Sequence, residues 1–73
     1  MAEHIIVFNS THQALKTEDI FRENDIDFDV VPLPKEFTAD CGLALKISEV
    51  DMGDVELLLE SSYIQIRGIF KSV

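Results

Sequence analysis

Residues 4–21, HIIVFNSTHQALKTEDIF, change within a few positions from a strand pattern to a helix pattern. The run His4-Ile5-Ile6-Val7-Phe8 is apolar and rich in β-branched residues, which predicts a short strand with apolar side chains on both faces. Ser10 then offers a helix cap, with Gln13 three residues later at capping-box spacing. The positions that share one face of the following helix are Ala14, Thr17 and Phe21. This stretch therefore predicts a strand that leads directly into an amphipathic helix.

The middle of the chain predicts an edge strand, a loop and a buried strand. Phe28, Val30 and Pro32 alternate with aspartates, which favours a half-solvated edge strand because proline cannot donate a hydrogen bond in a central one. A loop is predicted over 35–40. The next strand, over 42–47, places its larger apolar residues on one side. Those residues are Leu43, Leu45 and Ile47.

Local signals also mark the end of the first helix and the last two elements. Asn24 and Asp25 tolerate the left-handed conformation that terminates helices. Ser48 or Asp51 can cap a second helix. The apolar stripe of that helix comprises Met52, Val55, Leu58 and Leu59. The final strand alternates apolar and polar residues, with Gly68 as a predicted bulge.

The predicted order of elements is βαββαβ, the ferredoxin-like pattern of α+β proteins. Two right-handed crossovers give a four-stranded antiparallel sheet with both helices on one face. We expect residues 1–73 to form this single domain. In this topology the start of the first helix and the loop between strands two and three meet at one edge of the sheet. Ser10-Thr11-His12 and Asp40-Cys41-Gly42 are therefore predicted neighbours.

The charge balance argues against two classes of partner. The chain has 14 acidic and 6 basic residues and a net charge of −8, and it lacks the Lys/Arg clusters that bind nucleic-acid phosphates. The same negative field opposes docking on anionic membranes. We therefore predict neither a nucleic-acid nor a membrane partner. A basic face on a partner enzyme would be attracted, although the charge can also serve solubility alone.

The apolar pattern and the cysteine count predict the cellular compartment. The longest apolar run, 5–8, is far too short to span a membrane. The chain does not open with a signal-peptide pattern. We therefore expect a cytoplasmic protein whose thiol is reduced.

Cys41 is the only cysteine, so it has no disulfide partner within the chain. A thiol beside a helix N-terminus and a histidine ionises more readily than a free thiol, and Gly42 permits a tight turn that exposes it. We predict Cys41 as a nucleophile and His12 as its proton acceptor, although His12 can instead stay neutral because the helix dipole disfavours its positive form. The alternative is a buried Cys41 that packs as a small hydrophobic residue.

The other candidate binding residues are Ser10, Thr11, Asp40 and Gly42. The two hydroxyls lie where helix N–H groups are unpaired, so they can bind a small anion, although plain helix capping also explains Ser10. We expect His4 to be exposed and without a role. One cysteine and two histidines without ligand spacing predict no metal site, and we expect no cofactor because no cofactor-binding motif is present.

Two apolar surfaces favour self-association. Leu57 falls opposite the apolar stripe of the second helix. In the first strand, either Ile5 and Val7 or Ile6 and Phe8 must point away from the helices. We therefore predict weak self-association or a homodimer.

Several stretches resemble the small bacterial DUF3343 family of selenium/sulfur carrier-like proteins. They are 8–16 (FNSTHQALK), 31–36 (VPLPKE), 40–45 (DCGLAL) and 66–71 (IRGIFK). The likeness therefore spans nearly the whole chain. Its pattern is a Ser-Thr-His turn followed about thirty residues later by a Cys-Gly step.

By this resemblance, Cys41 holds sulfur or selenium, and Ser10-Thr11-His12 is the motif that opens the first helix. Two positions depart from the family's pattern, since Gln13 replaces a second histidine and Asp25 replaces a helix-ending glycine. The resemblance implies a carrier rather than an independent enzyme. Its partners would be enzymes that donate and accept sulfur or selenium.

The leading hypothesis is therefore a sulfur or selenium carrier that loads Cys41 and passes the atom to a partner enzyme. The alternative is a non-catalytic regulatory or interaction module, because small βαββαβ domains serve many functions. Replacing Cys41 by serine separates the two hypotheses. It abolishes adduct formation under the first and leaves partner binding intact under the second.

Overall fold

The computed structural model describes residues 2–32 and 43–72. Its elements are β1 (Glu3–Phe8), α1 (Thr11–Glu23), β2 (Asp29–Pro32), β3 (Leu43–Ser48), a 3₁₀ turn (Glu49–Asp51), α2 (Met52–Ser61) and β4 (Ile66–Ser72). The predicted βαββαβ order is confirmed. The loop predicted over 35–40 lies outside the described residues.

The sheet has the strand order β2-β3-β1-β4, and each neighbouring pair is antiparallel. The strands β1 and β2 therefore run the same way, with β3 between them, as the predicted topology requires. Pro32 lies on the edge strand, where its missing N–H breaks no central ladder. In β4 the register against β1 shifts between Ile66 and Gly68. Arg67 is the extra residue, so the bulge lies next to the predicted Gly68.

Both helices pack on one face of the sheet and form the core. The buried residues are Ile6, Phe8, Leu45 and Ile47 from the sheet, Ala14 and Phe21 from α1, Ile26 after α1, and Val55 and Leu59 from α2. They follow the strand period of two and the helix period of 3.6, which is why the pattern predicted most of them. Burial of each large apolar side chain contributes about 1.5–3 kcal/mol.

The opposite face of β1 presents Ile5 and Val7, which decides between the two alternatives for that strand. Val7 is fully buried and lies opposite Ala44 on one side and Gly68 on the other. A Cβ at Gly68 would lie 2.9 Å from the ring of Phe70. A larger residue at Gly68 would therefore displace the ring of Phe70, which packs against this glycine.

The start of α1 is capped as predicted, but only in part by the predicted means. The Ser10 hydroxyl accepts a hydrogen bond from the Gln13 N–H at 3.3 Å, with Ser10 in the extended conformation that a cap requires. The Gln13 side chain does not return this bond to Ser10. Its Oε1 accepts from the backbone N–H of Gln65 instead, so the reciprocal half of the capping box is replaced by a long-range contact.

Neither candidate cap of α2 donates or accepts a side-chain cap bond, so that prediction is wrong. Ser48 precedes the 3₁₀ turn, and Asp51 has a helical backbone (φ −93°, ψ −5°) rather than an extended one. A helical backbone leaves the side chain poorly placed to reach the N–H groups of the first turn. The 3₁₀ turn therefore leads into α2 without a side-chain cap.

The end of α1 follows the sequence prediction. Asp25 has φ 56°, in the left-handed region, and its N–H donates to the Arg22 carbonyl oxygen. The Ile26 N–H then donates to the Phe21 carbonyl oxygen at 2.9 Å. This reversal turns the chain back and buries Ile26 under the helix.

Candidate functional site

The first turn of α1 brings together three of the candidate residues. Ser10 is the half-buried cap, and Thr11 and His12 are the first two helical residues, both exposed to solvent. The first backbone N–H groups of a helix have no acceptor within the helix. The Ser10 hydroxyl accepts a hydrogen bond from the Gln13 N–H. The N–H groups of Thr11 and His12 remain directed out of the helix end.

Two contacts hold this turn against the sheet. Phe8, the last residue of β1, is fully buried, and Ala14 in the first turn is buried beside it in the same core. In addition, the side chain of Gln13 accepts a hydrogen bond of 3.3 Å from the backbone N–H of Gln65, which lies just before β4. The exposed Thr11 and His12 therefore sit on a turn whose backbone is fixed by burial and by a contact 52 positions away.

The charge around this turn differs from that of the whole chain. The first turn of α1 holds no acidic residue, and neither do 9–16 and 62–67, the segments that meet here. Their ionisable groups include His12, Lys16 and Arg67. The helix macrodipole adds about half a positive charge at the same end. These two segments and the helix end therefore favour an anion, such as a thiolate, in an otherwise acidic protein.

Many of the described acidic residues lie at the opposite end, where β1 and β2 begin, β3 and α1 end and α2 begins. They are Glu3, Glu23, Asp25, Asp27, Asp29, Glu49, Asp51 and Asp54. The sequence composition alone does not show this separation, because it depends on which strand ends the topology brings together. Negative charge is therefore concentrated at the end of the sheet opposite the first turn of α1.

Asp40, Cys41 and Gly42 lie outside the described residues, so their approach to His12 stays a prediction. The described strand ends on either side of 33–42 do have defined positions. Pro32 pairs with Leu43 across the β2–β3 ladder, and the next residue, Ala44, pairs with Val7 near the end of β1. Pro32 and Leu43 therefore lie at the end of the sheet that carries the first turn of α1.

His4 is a residue whose position the sequence analysis got wrong. Its side chain is only 17% exposed, and Nε2 lies 3.8 Å from Glu49 Oε1. Among the described residues this nitrogen is buried and has no hydrogen-bond partner. His4 alternates in β1 with Ile6 and Phe8 and lies opposite Ile47. That alternation was the available signal, since it places His4 on the face that the helices cover.

The described part of the chain shows neither a metal-binding cluster nor a helix that could span a membrane. Within 2–32 and 43–72, no three His, Cys, Asp or Glu side chains come together in a metal-binding arrangement. The helices in those ranges are too short or too polar for any of them to cross a membrane.

Comparison with known proteins identifies a family. Residues 3–71, from β1 to β4, match the model of a family described as "Putative Se/S carrier protein-like". Comparisons with curated proteins and with solved structures found no match to the chain.

Proposed function

The chain belongs to this Se/S carrier-like family, as the sequence resemblance predicted, and we propose that it carries sulfur or selenium on the thiol of Cys41. The single observation that supports this site best is the acid-free first turn of α1. Leu43 follows Cys41 by two residues, and two peptide units span at most about 7 Å. The start of β3, where Leu43 lies, is at the same end of the sheet as that turn.

The electrostatics of this end suit a thiolate. An anion there meets the unpaired N–H groups of Thr11 and His12 and the positive end of the α1 dipole. A thiolate in such surroundings forms at lower pH than a free thiol, and the thiolate is the reactive form. Thiol exchange is fastest when the pKa of the attacking thiol lies near the ambient pH.

The proposed loading step is a transfer between sulfur atoms. The Cys41 thiolate attacks the outer sulfur of a donor persulfide, R–S–SH. The S–S bond of the donor breaks as the bond from Cys41 Sγ to the outer sulfur forms, and R–S⁻ leaves with the electron pair. The proton that Cys41 released ends on R–S⁻, so no external oxidant or reductant is consumed. A donor of the form R–S–SeH delivers selenium by the same exchange.

The unloading step repeats this exchange with the thiolate of an acceptor enzyme. It attacks the outer sulfur of Cys41–S–SH and regenerates the Cys41 thiolate. We assign His12 as the group that accepts the Cys41 proton before loading, because it is the exposed imidazole of the α1 first turn. In this scheme Ser10, Thr11, Asp40 and Gly42 surround the sulfur, and the hydroxyl of Ser10 keeps its observed role as helix cap.

The partners of such a carrier are the enzymes that donate and accept sulfur or selenium. The proposal places the protein in the reducing cytoplasm, with residues 1–73 as one domain without a cofactor. Self-association through the open face of the sheet also stays a prediction, with Ile5 and Val31 as half-buried candidates. Light scattering at high protein concentration tests it, and a purely monomeric mass contradicts it.

A regulatory or interaction module is the alternative function. A specific observation supports it, since Leu57 and Tyr63 are exposed large hydrophobic residues on the described surface. Such a module binds its partner through these surfaces and needs no thiol. Replacement of Cys41 by serine then leaves its binding unchanged.

Mass spectrometry of the intact protein after exposure to glutathione persulfide measures whether it takes up sulfur. We expect the mass of one added sulfur atom, lost again on treatment with dithiothreitol. Cys41→Ser gives no adduct. The control is Glu56→Gln, a change at an exposed position on α2, which retains the thiol and therefore still takes up sulfur. Absence of the adduct on the parent protein contradicts the proposal.

A further inference from the structure

A groove of about 230 Å³ lies between the C-terminal end of α1 and helix α2. Asn24, Ile26, Asp54, Leu57 and Leu58 line it. Ile26 is buried and Leu58 is half-buried, whereas Leu57 is 67% exposed. The groove therefore has an apolar floor and one leucine that presents most of its surface to water.

The chain segments that contain these lining residues are strongly acidic. Residues 23–32 contain four acidic residues, residues 49–61 contain five, and neither segment contains a Lys, Arg or His. A group that binds here therefore meets a negative field with a low-dielectric apolar floor, which strengthens attraction for cations.

Arg22, the basic residue on the last turn of α1, is already engaged. Its guanidinium lies 3.1 Å from Glu18 and 3.3 Å from Asp19, and 5.5 Å from the ring centroid of Phe28. These contacts direct its charge toward residues that do not line the groove. Arg22 therefore does not neutralise the carboxylates beside the groove, such as Asp54, and they can attract a positively charged partner.

We infer that this groove docks a partner protein through a segment that presents an apolar side chain flanked by Lys or Arg. The volume lies below the roughly 300–1,000 Å³ typical of small-molecule pockets, and it suits one large side chain of a partner. Helix-in-groove recognition uses such anchors at helical spacing. The basic flanks follow from the charge of the two groove segments.

A second copy of this chain is a poor occupant. Two such grooves placed face to face bring one set of carboxylates against the other, and like charges juxtaposed at an interface oppose association. Anionic lipid surfaces and nucleic acids are disfavoured for the same reason. The negative charge around the groove therefore favours a basic protein segment as the occupant.

The docking groove and the proposed thiol site lie at opposite ends of α1. The helix has 13 residues, which at 1.5 Å per residue separates the two by about 20 Å. The inference goes beyond the carrier proposal and does not depend on it. Loss of sulfur uptake leaves docking intact, and loss of docking leaves uptake from a small persulfide intact, so the two failures are distinguishable.

The test uses a fluorescent helical peptide with leucines on one face and lysines elsewhere, titrated against the whole protein by fluorescence anisotropy. We expect Leu57→Gln to weaken binding by roughly tenfold. The matched control is Leu15→Gln, which removes a leucine that is 52% exposed on α1 outside the groove and leaves binding unchanged. Asp54→Asn weakens binding more than Glu56→Gln, which lies on the same helix but does not line the groove.

Amide chemical shifts locate the bound peptide, and we expect changes centred on Asn24, Ile26 and Leu57. Affinity should fall as salt rises, and a peptide with glutamate in place of lysine should not bind. Four outcomes overturn the inference. The first two are that the lysine peptide does not bind and that the glutamate peptide binds equally well. The third is that the shift changes are confined to the open sheet face. The fourth is that sedimentation shows a dimer whose amide shift changes lie at the groove.

Discussion

Gln13 Oε1 accepts a hydrogen bond from the backbone N–H of Gln65 at 3.3 Å, which joins the first turn of α1 to the residues before β4. A glutamine amide oxygen suits this role because it is an acceptor at every pH. A histidine at this position can accept only through a ring nitrogen that carries no proton. The glutamine at the position where the resemblance implies a second histidine therefore makes a specific structural contact.

Gln13→Ala should lower the free energy of unfolding by about 0.5–1.5 kcal/mol, since it removes one net hydrogen bond and leaves the Gln65 N–H to solvent. Urea unfolding followed by circular dichroism measures this change. His12→Ala is the matched control, because His12 is its exposed neighbour in the same helical turn. Equal losses in the two variants would show that the contact contributes nothing.

Asp25→Gly should raise stability by about 0.5–1 kcal/mol. Asp25 has φ 56°, a conformation that glycine adopts without the steric cost of a Cβ. Part of the gain is offset because glycine also gives the unfolded chain more freedom. Thermal melts of Asp25→Gly and Asp27→Gly provide the comparison, since Asp27 is exposed and has a negative φ. A lower melting temperature for Asp25→Gly contradicts the prediction.

Arg22→Gln should destabilise the protein by about 1–2 kcal/mol, which is more than an ordinary surface change. Glu18 is 8% exposed, and Arg22 forms an ion pair with it at 3.1 Å, so removing the guanidinium leaves a nearly buried carboxylate without that charge. The variant also loses the contact between Arg22 and the ring of Phe28.

The double variant Glu18→Gln/Arg22→Gln tests the cause of this loss. If the unpaired carboxylate is responsible, neutralising it recovers part of the stability, and a double-mutant cycle in urea gives a coupling energy above about 0.5 kcal/mol. Asp19→Gln/Arg22→Gln is the control cycle, because Asp19 is an exposed partner of the same arginine. Equal coupling in the two cycles contradicts the assignment.

His12→Gln should slow alkylation of Cys41 at neutral pH several-fold and shift its pH profile upward, if His12 accepts the thiol proton. Lys16→Gln provides the control on the same helix. It removes a positive charge from an exposed position and should leave the profile nearly unchanged because exposed charges are screened. Equal effects of the two substitutions would indicate a general charge effect rather than proton transfer.

Local patterns predicted the fold because its elements obey local rules. The helix period placed Phe21 and Val55 in the core, and Pro32 marked the edge strand. The failures involve contacts between distant parts of the chain. Gln13 has the spacing of a capping box, yet its hydrogen-bond partner is 52 positions away. Rules that consider only neighbouring residues cannot predict such a contact. His4 was misplaced although its alternation with Ile6 was visible.

The sequence also did not predict that the acidic residues lie away from the first turn of α1, because this too depends on distant contacts. Composition gives a net charge of −8, but it does not show that the acid-free first turn of α1 lies beside the acid-free residues 62–67, which follows from the topology. The residues of that turn, Ser10, Thr11 and His12, were predicted from their motif. The position of Cys41 beside them stays a prediction.

The most direct test of the carrier proposal is the rate of Cys41 alkylation by iodoacetamide as a function of pH. The chain has a single cysteine, so intact mass reports on this thiol alone. The proposal predicts an apparent pKa below the value of about 8.5 for an ordinary thiol, and a higher one in His12→Gln. An apparent pKa at or above about 8.5 in the parent protein would contradict it.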